Sequence, residues 1–549
     1  MPGALSRVPV WLLSWLIAVA AALLFRPPLP VDETRYLAVA WEMWQRGDFL
    51  VPHLNGEAYH HKPPLLFWLM NAGWSVFGVN DWWPRLVAPL FALASLWWTA
   101  RLARAIWPDD EMTRTLAPVI LVGAAFWSVF QTLTMFDMML AACALAGIHG
   151  TVAAWRTGSW LPWLGVALAI GVGVLAKGPA ILLHILPVAL FAPWWGPALS
   201  AGPDRPLVSW RAWYARLGVA VLLGAAIALA WAIPAGIRGG PEYREMIFWG
   251  QSAGRIVESF DHARPIWWYL VLLPPLLLPW VVWPRVWRSL GKGRIITFAD
   301  GGLRILVTWA LPALVIFSII SGKQLHYLLP EFAAFALFFA RALSHNAGEP
   351  GRRFDSVVVA IFFVIVGAIL MLLPDDPTFF EAPAWFDRID TFWGFLLILT
   401  GAALGFLGRK PAQTAAGALA VAMSMLVLVI HLSAKDSLSF AYDLRPIAMS
   451  LKKYEDAGRP LANFGYYHGQ YQFLGRLQKP MTVLGVDQST TVFVDAHPDA
   501  IIVAYYYIDE PQPVPGDITP LETFRFRDFK VVFWQGKDLQ RHPELGNRS

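Results

Sequence analysis

Cysteine is almost missing from this chain, with Cys143 alone among 549 residues, and charged side chains make up only 15% of it. A single thiol excludes an intramolecular disulfide and a cysteine metal cluster, and its place inside an apolar run gives it a packing role. So little charge, with 57% hydrophobic residues and a mean hydropathy of +0.49, excludes an ordinary soluble domain of this length. The net charge of +5 sits in short clusters between apolar runs and not in one stripe, so nucleic acid is not expected as a partner. Internal repeats and inverted symmetry are also missing, which argues against a secondary transporter.

What the chain has instead is apolar runs long enough to cross roughly 30 Å of hydrocarbon. They lie near 9–25, 84–103, 115–133, 136–154, 160–176, 179–196, 213–236, 266–284, 302–320, 325–343, 355–373, 391–408 and 412–432, and predict a polytopic helical membrane protein with about thirteen spans. The first run reads as a retained helix, because Arg26-Pro27-Pro28 follows it and no small-residue cleavage site does. With the N-terminus inside, the inner connections at 101–114, 156, 205–216, 285–304, 341–353 and 409–410 carry most of the Lys and Arg, the positive-inside pattern. Two long outer loops, 26–83 and 237–265, remain. Residues 1–432 therefore form a transmembrane domain. The segment 433–549 is richer in charge, carries strand-like runs at 482–484, 491–494, 500–507 and 530–534, and is expected to be a small extracytoplasmic α/β domain.

The first outer loop places two adjacent carboxylates, Asp32 and Glu33, just past the first span. From Glu33 to Gln45 the apolar residues Tyr36, Leu37, Ala40, Trp41 and Trp44 have helical spacing, predicting a helix along the membrane surface with its apolar side in the interface. Asp32 then either caps that helix or serves as a general base for an acceptor hydroxyl. Further on, Lys62 is pinned before Pro63 and Pro64, and a second interfacial helix is expected over 65–77. Lys62 beside Tyr59 could hold a phosphate, or the lysine could simply snorkel to the headgroups. His60 and His61, with His53 and Glu57 near, could bind a metal such as zinc or be merely solvated. Asp137, Lys177, Glu242, Arg244, Arg255, His262, Arg264 and Lys323 fall on the same face, making a mixed acid and cation cluster suited to a lipid phosphate and a hydroxyl nucleophile.

Asp32-Glu33 after the first span, Tyr59-x-x-Lys62-Pro63, Asp137, Ala176-Lys177-Gly178-Pro179 and Lys323-x-x-x-Tyr327-x-x-Pro330 together resemble the bacterial lipid A 4-amino-4-deoxy-L-arabinose transferases. These are GT-C glycosyltransferases, related to protein O-mannosyltransferases. The resemblance implies a GT-C fold and transfer of a sugar from an undecaprenyl-type polyprenyl phosphate to lipid A or lipopolysaccharide at the outer face of the inner membrane. Asp32, Glu33 and Asp137 would be the catalytic carboxylates, and Tyr59, Lys62, Arg255, Tyr327 and Lys323 would hold the carrier phosphate. No cofactor is then required, since the cations can neutralise the leaving phosphate. His61 departs from the acidic residue that often precedes the family's lysine, which bears on any shared metal site and on the sugar. A protein O-mannosyltransferase, a transferase for another envelope sugar, and a lipid or sugar transporter are the competing expectations.

Overall fold

The computed structural model describes residues 8–200, 209–254, 263–291, 299–373, 385–486, 488–509 and 518–546. The apolar runs are helical, but several are interrupted. Among the described residues, eight helical stretches are long and apolar enough to cross a membrane, from Trp82–Ile106 to Ala412–Asp456, beside three shorter apolar helices. Thirteen continuous spans are therefore not seen among the described residues: Val10–Phe25 and Thr391–Gly405 are simply short, and glycine and proline interrupt others. The run over 115–133 breaks at Gly123 into Glu111–Val122 and Ala125–Phe130. Pro274 and Pro275 lie inside Trp268–Leu276, whose run resumes only as the short turn Trp280–Val282. The runs over 160–176 and 179–196 join through the tight turn Gly178–Ala180 into one stretch ending at Leu190.

In chain order, α1 (Val10–Phe25) leads into the first outer loop, which holds α2 (Asp32–Arg46), the strands β1 (His53–Leu54) and β2 (Glu57–Ala58), and α3 (Leu65–Phe77). The two strands form a hairpin whose turn residues Asn55 and Gly56 have φ of 55° and 87°, as a primed turn demands. The α3 helix begins directly after Pro64, as its proline pair leads one to expect. Beyond it come α4 (Trp82–Ile106), α5 (Glu111–Val122), α6 (Ala125–Phe130) and α7 (Asp137–Thr157). At the ends of the helices remote from Asp137, Arg341 bridges Asp110 at 2.6 Å and Asp300 at 3.2 Å, and Arg288 pairs with Asp355. These ion pairs absorb part of the basic charge of the inner connections.

The helix Ala412–Tyr442 runs unbroken through the composition change at 433. After Arg445–Asp456 comes a five-stranded sheet made of β3 (Leu461–Phe464), β4 (Thr482–Leu484), β5 (Ile501–Tyr507), β6 (Glu522–Phe526) and β7 (Phe529–Gln535), in the order β4-β3-β5-β7-β6. Pairing of β3 with β4 and with β5 is parallel, and the remaining pairs are antiparallel. The run over 491–494, expected as a strand, lies inside the helix Gln488–Ala496. Its β-branched composition yields to topology, because parallel strands need a crossover between them.

The α2 helix is not laid in lipid. Its apolar side is covered by protein, in a cluster that joins Tyr36, Leu37, Trp41 and Met43 to Phe67 and Trp74 of α3 and to Ile447, Leu451, Phe473 and Phe533 of the outer segment. Trp74 stacks on Phe473 at 5.2 Å and meets Trp41 edge-on at 6.5 Å, while the Trp41 indole donates to the Leu477 carbonyl at 2.9 Å. The first outer loop is thus the layer that joins the membrane helices to the sheet. Trp74→Ala should cost about 3–5 kcal/mol through the cavity it leaves. A lower unfolding midpoint and earlier proteolysis of the C-terminal segment would show it, whereas an unchanged midpoint would mean that this layer does not hold the sheet in place.

Candidate active site

The two neighbouring carboxylates face opposite ways, because consecutive residues on a helix are turned by about 100°. Glu33 points inward and is buried. It pairs with Arg26 and accepts hydrogen bonds from the backbone N–H groups of Leu29 and Thr134, both at 2.7 Å. Burial alone would raise its pKa, but the Arg26 guanidinium and these donors hold it down at about 2. Arg26 also reaches the Thr132 carbonyl at 3.0 Å, and Arg85 ties its guanidinium to the carbonyls of Ala22 and Arg26. This knot fixes the exit of α1, the entry of α2 and the strip just before α7.

Asp32 points outward. It is the first residue of α2 and not its N-cap, which is Val31, and its side chain makes no cap hydrogen bond. Its carboxylate is half exposed, pairs with Arg35 one turn on, and lies 3.4 Å from the Tyr36 hydroxyl. Burial first, then the nearby Asp32 and Tyr59, push the Tyr36 phenol well above its ordinary value, so it stays a proton donor. The Tyr36 ring meets Phe136 edge-on at 4.9 Å, and the Lys62 ammonium stands 5.9 Å from the same Phe136 ring. Tyr59 is buried, with its ring against Phe67 and His61.

Asp137 is the first residue of α7, where the helix dipole favours an anion. It is buried, pairs with Lys177, and stands 4.0 Å from the His326 imidazole. Lys177 closes the helix Leu161–Lys177, with Gly178 at a φ of 77° ending it, and its ammonium lies 5.1 Å from the Tyr327 ring. His326 joins the two halves of the cluster, being within electrostatic reach of Asp137, Lys177, Lys62 and Asp32 together. Asp32, Tyr59, Lys62, Asp137 and Tyr327 are linked pairwise through Arg35, Tyr36, Phe136, Lys177 and His326.

Of the other expected members, Glu33 and Lys323 are held by partners outside this cluster. Glu33 is spent on Arg26. Lys323 is buried, and its ammonium donates to the carbonyls of Arg264 at 2.8 Å and Ile320 at 2.6 Å. Arg264, Glu242 and Arg244 are exposed. Arg255 and His262 lie outside the described residues. The His60 and His61 rings stack at 4.4 Å, and no group of three or more His, Cys, Asp or Glu side chains among the described residues is placed to share an ion. Arg35 and Tyr36 escaped the sequence reading, although their spacing of three and four from Asp32 on a helix was the available signal. His326 was signalled only by standing beside Tyr327.

Residues 61–234 match a family model described as dolichyl-phosphate-mannose-protein mannosyltransferase. An undecaprenyl phosphate-alpha-4-amino-4-deoxy-L-arabinose arabinosyl transferase of Edwardsiella ictaluri is 29% identical over 361 residues, 64% of this chain and 61% of the relative. A transferase of the same name from Pseudomonas aeruginosa is 29% identical over 60% of this chain and 59% of its own. The matched stretch thus spans about three-fifths of the length of these curated relatives. The crystal structure of ArnT from Cupriavidus metallidurans bound to undecaprenyl phosphate superposes with a TM-score of 0.74 at 20% identity, covering 95% of this chain and 96% of that one. The resemblance read from the motifs is borne out, and the two chains share one fold.

Glu33→Gln should leave Arg26 buried without its counter-charge and destabilise the protein by about 3–5 kcal/mol. Because the folded pKa of Glu33 lies below the ordinary 4.5, its ion pair contributes fully above pH 4.5 and is lost as pH falls towards 2. Unfolding midpoints measured between pH 7 and pH 3 should therefore converge for native and variant protein; a gap that stays constant over that interval would contradict the pairing.

Proposed function

We propose that this chain transfers a sugar, 4-amino-4-deoxy-L-arabinose, from undecaprenyl phosphate to lipid A or lipopolysaccharide at the periplasmic face of the inner membrane. The observation that carries this reading is the buried Asp137–Lys177 ion pair beside His326, with Asp32 and Lys62 within electrostatic reach of the same imidazole. The names of the relatives support the donor and the sugar. The Lys and Arg residues clustered in the expected inner connections support an outer position for this cluster.

The transfer is a single displacement with inversion. The acceptor oxygen attacks the anomeric carbon as the bond from that carbon to the phosphate oxygen breaks. Asp32, released from Arg35 by the incoming acceptor, takes the acceptor's proton. The departing phosphate keeps the electron pair, and Lys62, Lys177 and Arg255 meet its charge, with Tyr59 and Tyr327 as phenol donors. Asp137 holds the Lys177 ammonium in place through their ion pair. Glu33 sets the position of Asp32 through the shared helix and does not itself touch substrate. On this reading the chain's own cations neutralise the leaving group and no metal-dependent step is required.

The mannosyltransferase family model favours a second reading, in which the acceptor is a protein hydroxyl. Mass spectrometry of lipid A and of envelope proteins from cells with and without the chain separates the two, since only one class should lose a sugar. Asp32→Asn should lower turnover roughly 10²–10⁴-fold, the usual share of a general base, while the protein stays folded and binds undecaprenyl phosphate. Full activity in that variant would remove the mechanism. Lys62→Ala should instead weaken carrier binding, read as a KM for the donor raised by about tenfold, the loss expected of one charge-assisted contact.

A further inference from the structure

The outer sheet has an unused feature that faces the cluster. Its parallel strands run in the order β4-β3-β5, so the chain leaves β3 towards one neighbour and returns on the other side. In open α/β sheets the crevice at the carboxyl ends of strands, where the order reverses, is where ligands bind. Here the carboxyl end of β3 continues as Gly465-Tyr466-Tyr467-His468-Gly469-Gln470. The turn is anchored by its alternate members. Tyr467 is buried against Tyr471 at 6.0 Å, and Gly469, with a φ of 70°, sits so tightly on the first outer loop that a Cβ would stand 2.5 Å from Leu54 and 3.0 Å from Ala38 of α2. Gln470 closes it by accepting from the His468 backbone N–H at 2.9 Å.

Its other members are turned out. Tyr466 is 88% exposed, an unusual state for so large an apolar ring, and lies 5.3 Å from the His468 imidazole with the two planes tilted by 34°. His468 is half-buried and within electrostatic reach of both Asp32 and Arg35. Burial, and then Arg35, hold its pKa below the ordinary value, so near neutral pH the imidazole is uncharged and offers one donor and one acceptor. The Gly465 N–H donates to the Leu484 carbonyl at 2.8 Å, which brings Val486, also 88% exposed, to the same end of the adjacent strand. A flat aromatic face, a neutral imidazole and a small apolar shoulder, on a turn packed against the helix that carries Asp32, are the components of a carbohydrate site. Sugar rings lay their C–H face on an aromatic ring and offer hydroxyls as both donors and acceptors.

We propose that this turn is the sugar subsite for the acceptor, with the Tyr466 ring as platform and the His468 imidazole as hydrogen-bonding partner, so that the bound acceptor projects its reacting oxygen towards Asp32. The assignment rests on the transferase reading above and adds the acceptor's side to it: the outer domain is a substrate-binding element whose ligand is an amphiphile with a carbohydrate headgroup.

The test is direct binding of lipid A, and separately of undecaprenyl phosphate, to the full chain in lipid nanodiscs. Tyr466→Ala should weaken lipid A binding by roughly tenfold, the loss expected on truncating one aromatic anchor. Tyr466→Phe should restore most of it, His468→Ala should weaken it by less, and undecaprenyl phosphate binding should stay unchanged in all three. Because Tyr466 is exposed, the unfolding midpoint should not move. In a transfer assay Tyr466→Ala should raise the acceptor KM with the donor KM and kcat near native values. Native affinity for lipid A in Tyr466→Ala, an equal loss of affinity for undecaprenyl phosphate, or absence of lipid A binding by the native chain would each overturn the subsite. Binding that follows this pattern without any transfer would leave the subsite standing and sink the transferase reading instead.

Discussion

The Glu33 carboxylate is the point on which the outer face of this protein is assembled. A buried charge is tolerated only when its counter-charge and donors arrive together. Glu33 receives Arg26 from the end of α1, a backbone donor from Leu29 in the connection to α2, and another from Thr134 in the strip before α7. The α1–α2 connection and a strip about a hundred residues further on are thereby held to a common origin. Asp32 stands one residue before that origin and Asp137 three residues after Thr134, so the spacing between the two carboxylates of the cluster follows from one buried ion pair.

A side chain held in place by a neighbour recurs elsewhere in the cluster. Lys177 is steered by Asp137, and Tyr36 is kept protonated by burial while its hydroxyl remains close to Asp32. A second buried pair, His184 with Glu331 at 2.5 Å, links the helix that follows Gly178-Pro179 to the segment that carries His326 and Tyr327. Positioning of this kind would serve the proposed transfer, because fixed dipoles and ions need no rearrangement as a leaving phosphate develops its charge.

Much of the fold was legible because hydropathy over a window of about twenty residues reports lipid exposure directly. The interruptions were harder to read, since Gly123 and the pair Pro274-Pro275 break helices without breaking the apolar run. The strands β3 and β6 also passed unnoticed, the first being only four residues long. At the site, the residue types were legible and their directions were not. Asp32 and Glu33 read alike as neighbouring carboxylates, and only the helix that contains them sends one outward and one into the protein. Lys323 shows the same limit. A lysine beside a motif tyrosine reads as a phosphate ligand, but its ammonium is consumed by the carbonyls of Arg264 and Ile320, a backbone demand that leaves no mark on composition.

The uninterrupted helix Ala412–Tyr442 has a mechanical meaning. Its 31 residues, at about 1.5 Å each, make a rod of roughly 46 Å, some 16 Å longer than the hydrocarbon layer. The sheet beyond it is therefore carried on a stiff mast and not hung from a tether. A rod of that length holds the sheet at one distance from the far end of the bundle to within the bending of one helix.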